Sequence, residues 1–227
     1  MKYTTLLFDL DGTLLDFSKT ETVAINAAYK KVFGTIPPKS LIFIYHEINT
    51  ALWQEFEKGT IDINLLKKKR FSDLFHRLKL NADSEYFSRT YLKELGKGGY
   101  LLDEALAVLE DCKGKFRLGA VTNGIGEVQR SRIKAAAIGH YFETIVISED
   151  AGIAKPNPAI FDIAFKKMGL TKKDEILMIG DSLTSDILGG INAGIDTCWI
   201  NVEGPGQKDI QPTYTISNIS ELMNILR

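Results

Sequence analysis

Short apolar runs alternate along the chain with longer stretches in which apolar residues recur every three or four positions. Five runs are of the first kind: "YTTLLF" at 3–8, "FRLGAV" at 116–121, "TIVIS" at 144–148, "EILMIG" at 175–180 and "TCWIN" at 197–201. Each is aliphatic on both alternating faces and bounded by Gly, Asp, Asn or Ser, as parallel strands covered on both sides should be. "LDEALAVLEDC" (102–112), "EVQRSRIKAAAIG" (127–139), "NPAIFDIAFKKMG" (157–169) and "SDILGGINAG" (185–194) carry helical spacing, and three of them close on glycine. This alternation predicts an α/β fold built on a doubly wound parallel sheet, whose ligands sit beyond the carboxyl ends of the strands.

One interval breaks the rhythm. Between the first two strand patterns lie about a hundred residues with almost no strand signal, too long for an ordinary connection. "SKTE" at 18–21 reads as a capping box opening a helix toward Gly34. Leu41, Ile44, Ile48, Leu52 and Phe56 follow at helical steps before Gly59, and helices over 62–80 and 83–96 open on Asp62 and Asp83 as caps. The pattern predicts a small four-helix domain over 16–98 inserted into a core formed by 1–15 and 99–227, with junctions at "LDF" (15–17) and "GKGG" (96–99).

Composition narrows the partners. The net charge of −1 and a pI near 6.3 supply no field that calls for a nucleic acid polymer or an anionic membrane. "KKKR" at 67–70 reads as the solvated face of a helix. Cys112 and Cys198 lie far apart without C-x-x-C spacing, so reduced, buried thiols are expected rather than a disulfide or a zinc site. The first apolar run is too short for a signal peptide, and no run approaches the ~18 residues of a bilayer span, so a cytoplasmic protein is expected.

The chemistry starts at "FDLDGT", residues 8–13. Side chains two apart on a strand share a face, so Asp9 and Asp11 point into the same space. Two such charges about 4 Å apart at an effective dielectric of ~20 repel by ~4 kcal/mol, which calls for a cation or a shared proton. A lone D-x-D is most often a capped turn. Here "MIGDSLTSD" at 178–186 ends another strand pattern and brings Asp181 to the same sheet edge, with Asp186 five residues on. No Cys or His belongs to these motifs, so the all-oxygen donor set favours a hard cation, Mg²⁺ by default. "VTNG" at 121–124 places Thr122, Asn123 and Gly124 after the second strand, where a hydroxyl and backbone N–H groups can hold phosphate oxygens. "AKPNP" at 154–158 holds Lys155 in a loop. A T-N turn or a loop lysine alone is unremarkable; their convergence at one sheet edge points to Mg²⁺ and phosphate.

In this order, "DLDGT", "VTN", Lys155 before proline and "GDSLTSD" resemble the four motifs of the haloacid dehalogenase superfamily of phosphohydrolases, over the whole chain. The resemblance implies a Rossmann-like core with the inserted helices as a mobile cap. It further implies Asp9 as nucleophile, Asp11 as general acid and base, and Thr122 and Lys155 as charge-stabilising groups. Substrate phosphate would be held by Thr122, Asn123, Gly124 and Lys155. Mg²⁺ would be held by the carboxylates of Asp9 and Asp181 and the main-chain carbonyl of Asp11, with Asp186 in support. The dehalogenase branch lacks the second motif aspartate, so Asp11 favours phosphate ester hydrolysis.

For the substrate, "HEINTALWQEFEKGTID", "KRFSDLF", "GKGGYLLDEAL" and "VTNGIGEVQRSRIKAAAI" resemble the pyrimidine 5′-nucleotidase branch, which implies UMP, dUMP, dTMP and modified analogues as small phosphate monoester substrates. Phe17, His46, Asn49, Trp53 and Arg70 are candidates to meet a base, although Trp53 also fits the bundle core. The alternative is a phosphatase for sugar phosphates or phosphoglycolate, then a phosphomutase; a catalytically idle binding module is opposed by four intact motifs. "NGIGEVQ" fails the dinucleotide fingerprint at Gln129, no P-loop is present, and His46, His76 and His140 lie outside the motifs. The sequence leaves monomer and homodimer open.

Overall fold

The computed structural model describes residues 2–201 and 209–226. The chain forms β1 (Thr5–Phe8), then α1 (Phe17–Phe33), α2 (Leu41–Glu57), α3 (Ile63–Leu78) and α4 (Ser84–Leu95). It continues through α5 (Ala105–Cys112), β2 (Arg117–Thr122), α6 (Gly126–Ala135), β3 (Thr144–Ile147), α7 (Ser148–Ala151), α8 (Ala159–Met168) and β4 (Ile176–Gly180). A π-helical turn over Leu183–Ile187 leads into α9 (Leu188–Ala193), followed by β5 (Asp196–Ile200), β6 (Tyr214–Ile216) and α10 (Leu222–Ile225). The six strands form one sheet in the order β3-β2-β1-β4-β5-β6, with every pairing parallel. Strand order reverses beside β1, which puts the crevice of such a sheet at the carboxyl ends of β1 and β4.

Contacts divide the chain into two compact units. The first comprises Met1–Phe17, Gly99–Gly126 and Ala136–Arg227. Its core packs Leu7, Val121 and Val146 of the sheet against Ile160, Phe161, Ala164, Phe165 and Met168 of α8, each large apolar side chain contributing roughly 1.5–3 kcal/mol on burial. Gly189 and Gly190 serve close packing: a β-carbon would lie 2.9 Å from the Phe161 ring at Gly189 and 2.5 Å from Thr197 at Gly190. β6 went unread in the sequence because only three residues pair and only Ile216 among them is buried.

The second unit comprises Ser18–Gly98 together with Glu127–Ala135, so it takes in nearly all of α6. Its centre is aromatic: Phe71 stacks on Tyr45 at 5.6 Å, and Phe87 lies 5.1 Å from both Phe71 and Phe75. Asp62 caps α3 by accepting from Leu65 N, and Asp83 caps α4 by accepting from Glu85 N and Tyr86 N. The capping box expected at 18–21 does not open its helix, because α1 already begins at Phe17. Glu21 is instead buried, accepting from Asn49 Nδ2 at 2.9 Å and lying 2.7 Å from His46 Nδ1. Arg70 is also buried and donates to Asn49 Oδ1 and the Tyr45 hydroxyl at 3.4 and 3.5 Å. Trp53 meets Phe56 edge to face. No helix among the described residues is long and apolar enough to cross a membrane.

Candidate active site

β1 ends at Phe8, and Asp9 follows with its N–H still donating to Ile179 O of β4 at 2.9 Å. This fixes the Asp9 backbone at the sheet's carboxyl edge, and its side chain is buried. The chain then turns sharply: Gly12 N donates to Leu15 O at 3.0 Å, with φ of +84° at Gly12. Glycine is needed there twice over, since that backbone disfavours a side chain and a β-carbon would lie 2.3 Å from Asp181 Oδ2. Gly180 makes the same allowance for Asp186, whose Oδ2 would lie 2.3 Å from a β-carbon.

Asp181 leaves the end of β4, and Asp186 returns from the π-helical turn, where Ser182 N donates to its Oδ2 at 3.0 Å. Asp9, Asp181 and Asp186 each offer a carboxylate oxygen within 4.8 Å of the others. The cluster contains neither sulfur nor imidazole, and such an all-carboxylate set fits a hard divalent cation. Thr13, which the sequence did not single out, donates from Oγ1 to Asp181 Oδ1 at 3.2 Å.

Lys155 enters from the loop before α8 and is fully buried. Its Nζ donates to Asp9 Oδ1 at 2.5 Å, Asp186 Oδ1 at 2.6 Å and Val121 O at 2.7 Å. Burial alone would discharge the amine; Asp186 and Asp9 outweigh that and hold its pKa above the usual lysine range. One amine does not balance three carboxylates, two of them buried and the third half-buried. Asp9 is accordingly pushed well above the carboxylate range, chiefly by burial, with Lys155 opposing and Asp186, Asp181 and Asp11 adding to the rise. Asp181 is raised to about 7, again chiefly by burial and then by Asp186. A divalent cation held there would relieve this repulsion.

Asn123 holds Lys155 by its main chain: Lys155 N donates to Asn123 Oδ1 at 2.9 Å, and Asn123 Nδ2 donates to Lys155 O at 3.0 Å. Its carboxamide therefore joins the loop after β2 to the lysine loop. Thr122 is completely buried at the end of β2. Gly124 N is taken up by Ser148 Oγ at 3.0 Å, and Gly126 N by Glu149 Oε2 at 2.7 Å. Neither Ser148 nor Glu149 had a motif to reveal it; each shapes the loop from the end of β3. Asp11 is half-buried in the turn, where it bridges to Leu15.

The chain matches the haloacid dehalogenase-like hydrolase family over residues 3–194. It is 34% identical over 228 residues to the pyrimidine 5′-nucleotidase YjjG of Escherichia coli, covering 100% of this chain and 99% of that protein. It is 35% identical over 228 residues to the pyrimidine 5′-nucleotidase PynA of Streptococcus pneumoniae, covering 100% and 96%. The crystal structure of the HAD-hydrolase YfnB from Bacillus subtilis bound to magnesium superposes with a TM-score of 0.93 at 35% identity, covering 100% of both chains. With its four motifs gathered at one edge of a parallel sheet and a match spanning most of its length, the chain belongs to the haloacid dehalogenase-like hydrolase family.

Proposed function

We propose that this protein is a Mg²⁺-dependent phosphomonoesterase that works through an aspartyl-phosphate on Asp9 and acts on pyrimidine nucleoside monophosphates. The observation that carries the reading is the buried Lys155 amine, joined at once to Asp9 and Asp186 beside Asp181. A fixed cation and an acidic cluster at the end of β1 suit an anionic nucleophile that must approach a phosphate dianion.

Asp9 attacks phosphorus through a carboxylate oxygen, the phosphorus–ester oxygen bond breaks, and Asp11 gives its proton to the leaving alkoxide. Asp11, now ionised, takes a proton from water as that water attacks phosphorus, and cleavage of the bond to Asp9 restores the carboxylate. Lys155 holds Asp9 in place and balances charge on the transferring group. Thr122, with the backbone of the loop at Asn123, receives phosphate oxygens. Gly124 enters as part of that loop and not as an amide donor, its N–H being bonded to Ser148. The carboxylates of Asp9 and Asp181 and the main-chain carbonyl of Asp11 would hold Mg²⁺, with Asp186 supporting. When bound, the ion supplies the positive charge that keeps the carboxylates ionised and offsets their repulsion from the phosphate.

The substrate class rests on the two relatives named pyrimidine 5′-nucleotidases, each matched over its full length or nearly so. The two buried free thiols, Cys112 and Cys198, fit a reducing, cytoplasmic setting. The test is phosphate release with Mg²⁺ across UMP, dUMP, dTMP, sugar phosphates and phosphoglycolate, with Asp9→Asn as the control. Preference for the pyrimidine nucleotides, abolished in Asp9→Asn, is the expected result. Turnover confined to sugar phosphates or phosphoglycolate overturns the substrate and leaves the chemistry; turnover that survives in Asp9→Asn overturns the mechanism.

A further inference from the structure

The peptide group between Asp181 and Ser182 is held at both ends. Its N–H, on Ser182, donates to Asp186 Oδ2 at 3.0 Å. Its carbonyl, on Asp181, accepts from the indole Nε1 of Trp199 at 2.8 Å. This peptide lies just past Gly180, the last residue of β4 and the one registered against Trp199 on β5, where the chain leaves the sheet and its ladder. The indole therefore replaces the partner that the carbonyl loses on leaving the sheet. Rotation of the peptide plane would swing the Asp181 side chain and break the bond to Asp186 together.

We infer that Trp199 is a positioning residue for the acidic cluster: its indole N–H fixes the Asp181–Ser182 peptide, and through it the two carboxylates that bracket the cation. The inference rests on the cation reading given above. Trp199 touches neither the cation nor the phosphate in this role; it sets the orientation of groups that do. Thr13 acts on the same residue from the other side, through the Asp181 carboxylate. Outer-shell hydrogen bonds of this kind typically carry about 10–100-fold in metal affinity.

Trp199→Phe keeps a ring in β5 and removes the donor. The experiment titrates Mg²⁺ alone, without substrate, into wild type and Trp199→Phe, and reads binding by calorimetry and by the Mg²⁺-dependent rise in melting temperature. The expected result is an affinity lowered about tenfold, with phosphate-ester KM at saturating Mg²⁺ unchanged. Equal Mg²⁺ affinity in the two proteins overturns the inference while leaving the cation site standing. No Mg²⁺ binding in wild type overturns the cation reading itself, and this inference with it.

A second measurement does not depend on the folding of that variant. The chain has two tryptophans, Trp53 and Trp199. In Trp53→Phe the sole indole is the one bonded to Asp181, so Mg²⁺ should change its emission with the midpoint found by calorimetry. Emission that ignores Mg²⁺ across a range where calorimetry shows binding counts against the inference.

Discussion

Asp181→Asn removes one negative charge from the cluster and keeps the shape of the side chain and its contact with Thr13. In the wild type, burial and Asp186 raise the Asp181 carboxyl from 3.8 to about 7. Between those values the folded protein binds more protons than the unfolded chain, so stability falls as pH rises. This contribution is fully present below about pH 4 and gone once pH passes about 7. At 1.36 kcal/mol per pH unit the window amounts to roughly 4 kcal/mol, an upper bound because the proton is shared among coupled carboxylates. Asparagine is neutral throughout. Urea denaturation of metal-free protein should therefore show Asp181→Asn matching wild type near pH 4 and exceeding it by about 2–4 kcal/mol near pH 8. Mg²⁺ at about a hundred times its Kd should return about 2.7 kcal/mol to wild type at the higher pH and much less to the variant. A variant less stable than wild type at high pH without metal would overturn this expectation, as would a difference that does not change with pH.

Lys155→Met should destabilise the protein by about 3–5 kcal/mol in urea melts, since it strips the amine from two buried carboxylates. Gly12→Ala forces a β-carbon to within 2.3 Å of Asp181 Oδ2 at a left-handed backbone; about 1–2 kcal/mol of stability should go, with a weakened Mg²⁺-dependent thermal shift. His46 is raised above 6.5 by its hydrogen bond to buried Glu21. That pair therefore contributes stability below pH 6.5 which is lost as pH rises through the folded value, and His46→Gln should flatten this part of the pH–stability curve.

The strands were legible where apolar runs were long enough to be covered on both faces, as in "LLF" of β1 and "ILMIG" of β4. Asp9, Thr122 and Asp181 could be read because each ends or directly follows such a run, so the strand fixes where its carboxylate or hydroxyl emerges; Lys155 and Asp186 come later, from a loop and a turn. Legibility ended where a contact joins distant segments without a pattern of its own. Trp199 reads as a strand residue, Ser148 as the end of one, and Thr13 as part of a turn; only the register of β4 with β5 and the loop geometry make them neighbours of the site. Asn123 was legible only through the backbone N–H groups of its loop; that its carboxamide also bonds the main chain of Lys155 had no signal in the sequence. Glu21 followed a serine at capping-box spacing, and burial among Asn49 and His46 took it elsewhere. The sequence's local signals had no way to register those partners, 25 and 28 residues away.

Whether Asp9 carries the phosphoryl group is read directly by acid quench of a single turnover with UMP or dUMP radiolabelled on the phosphate, followed by peptide mapping. Label should appear covalently on the peptide containing Asp9 and decay as inorganic phosphate rises, with none on Asp9→Asn. Full turnover with no covalent label at any time, or label on a peptide lacking Asp9, would contradict that role for Asp9.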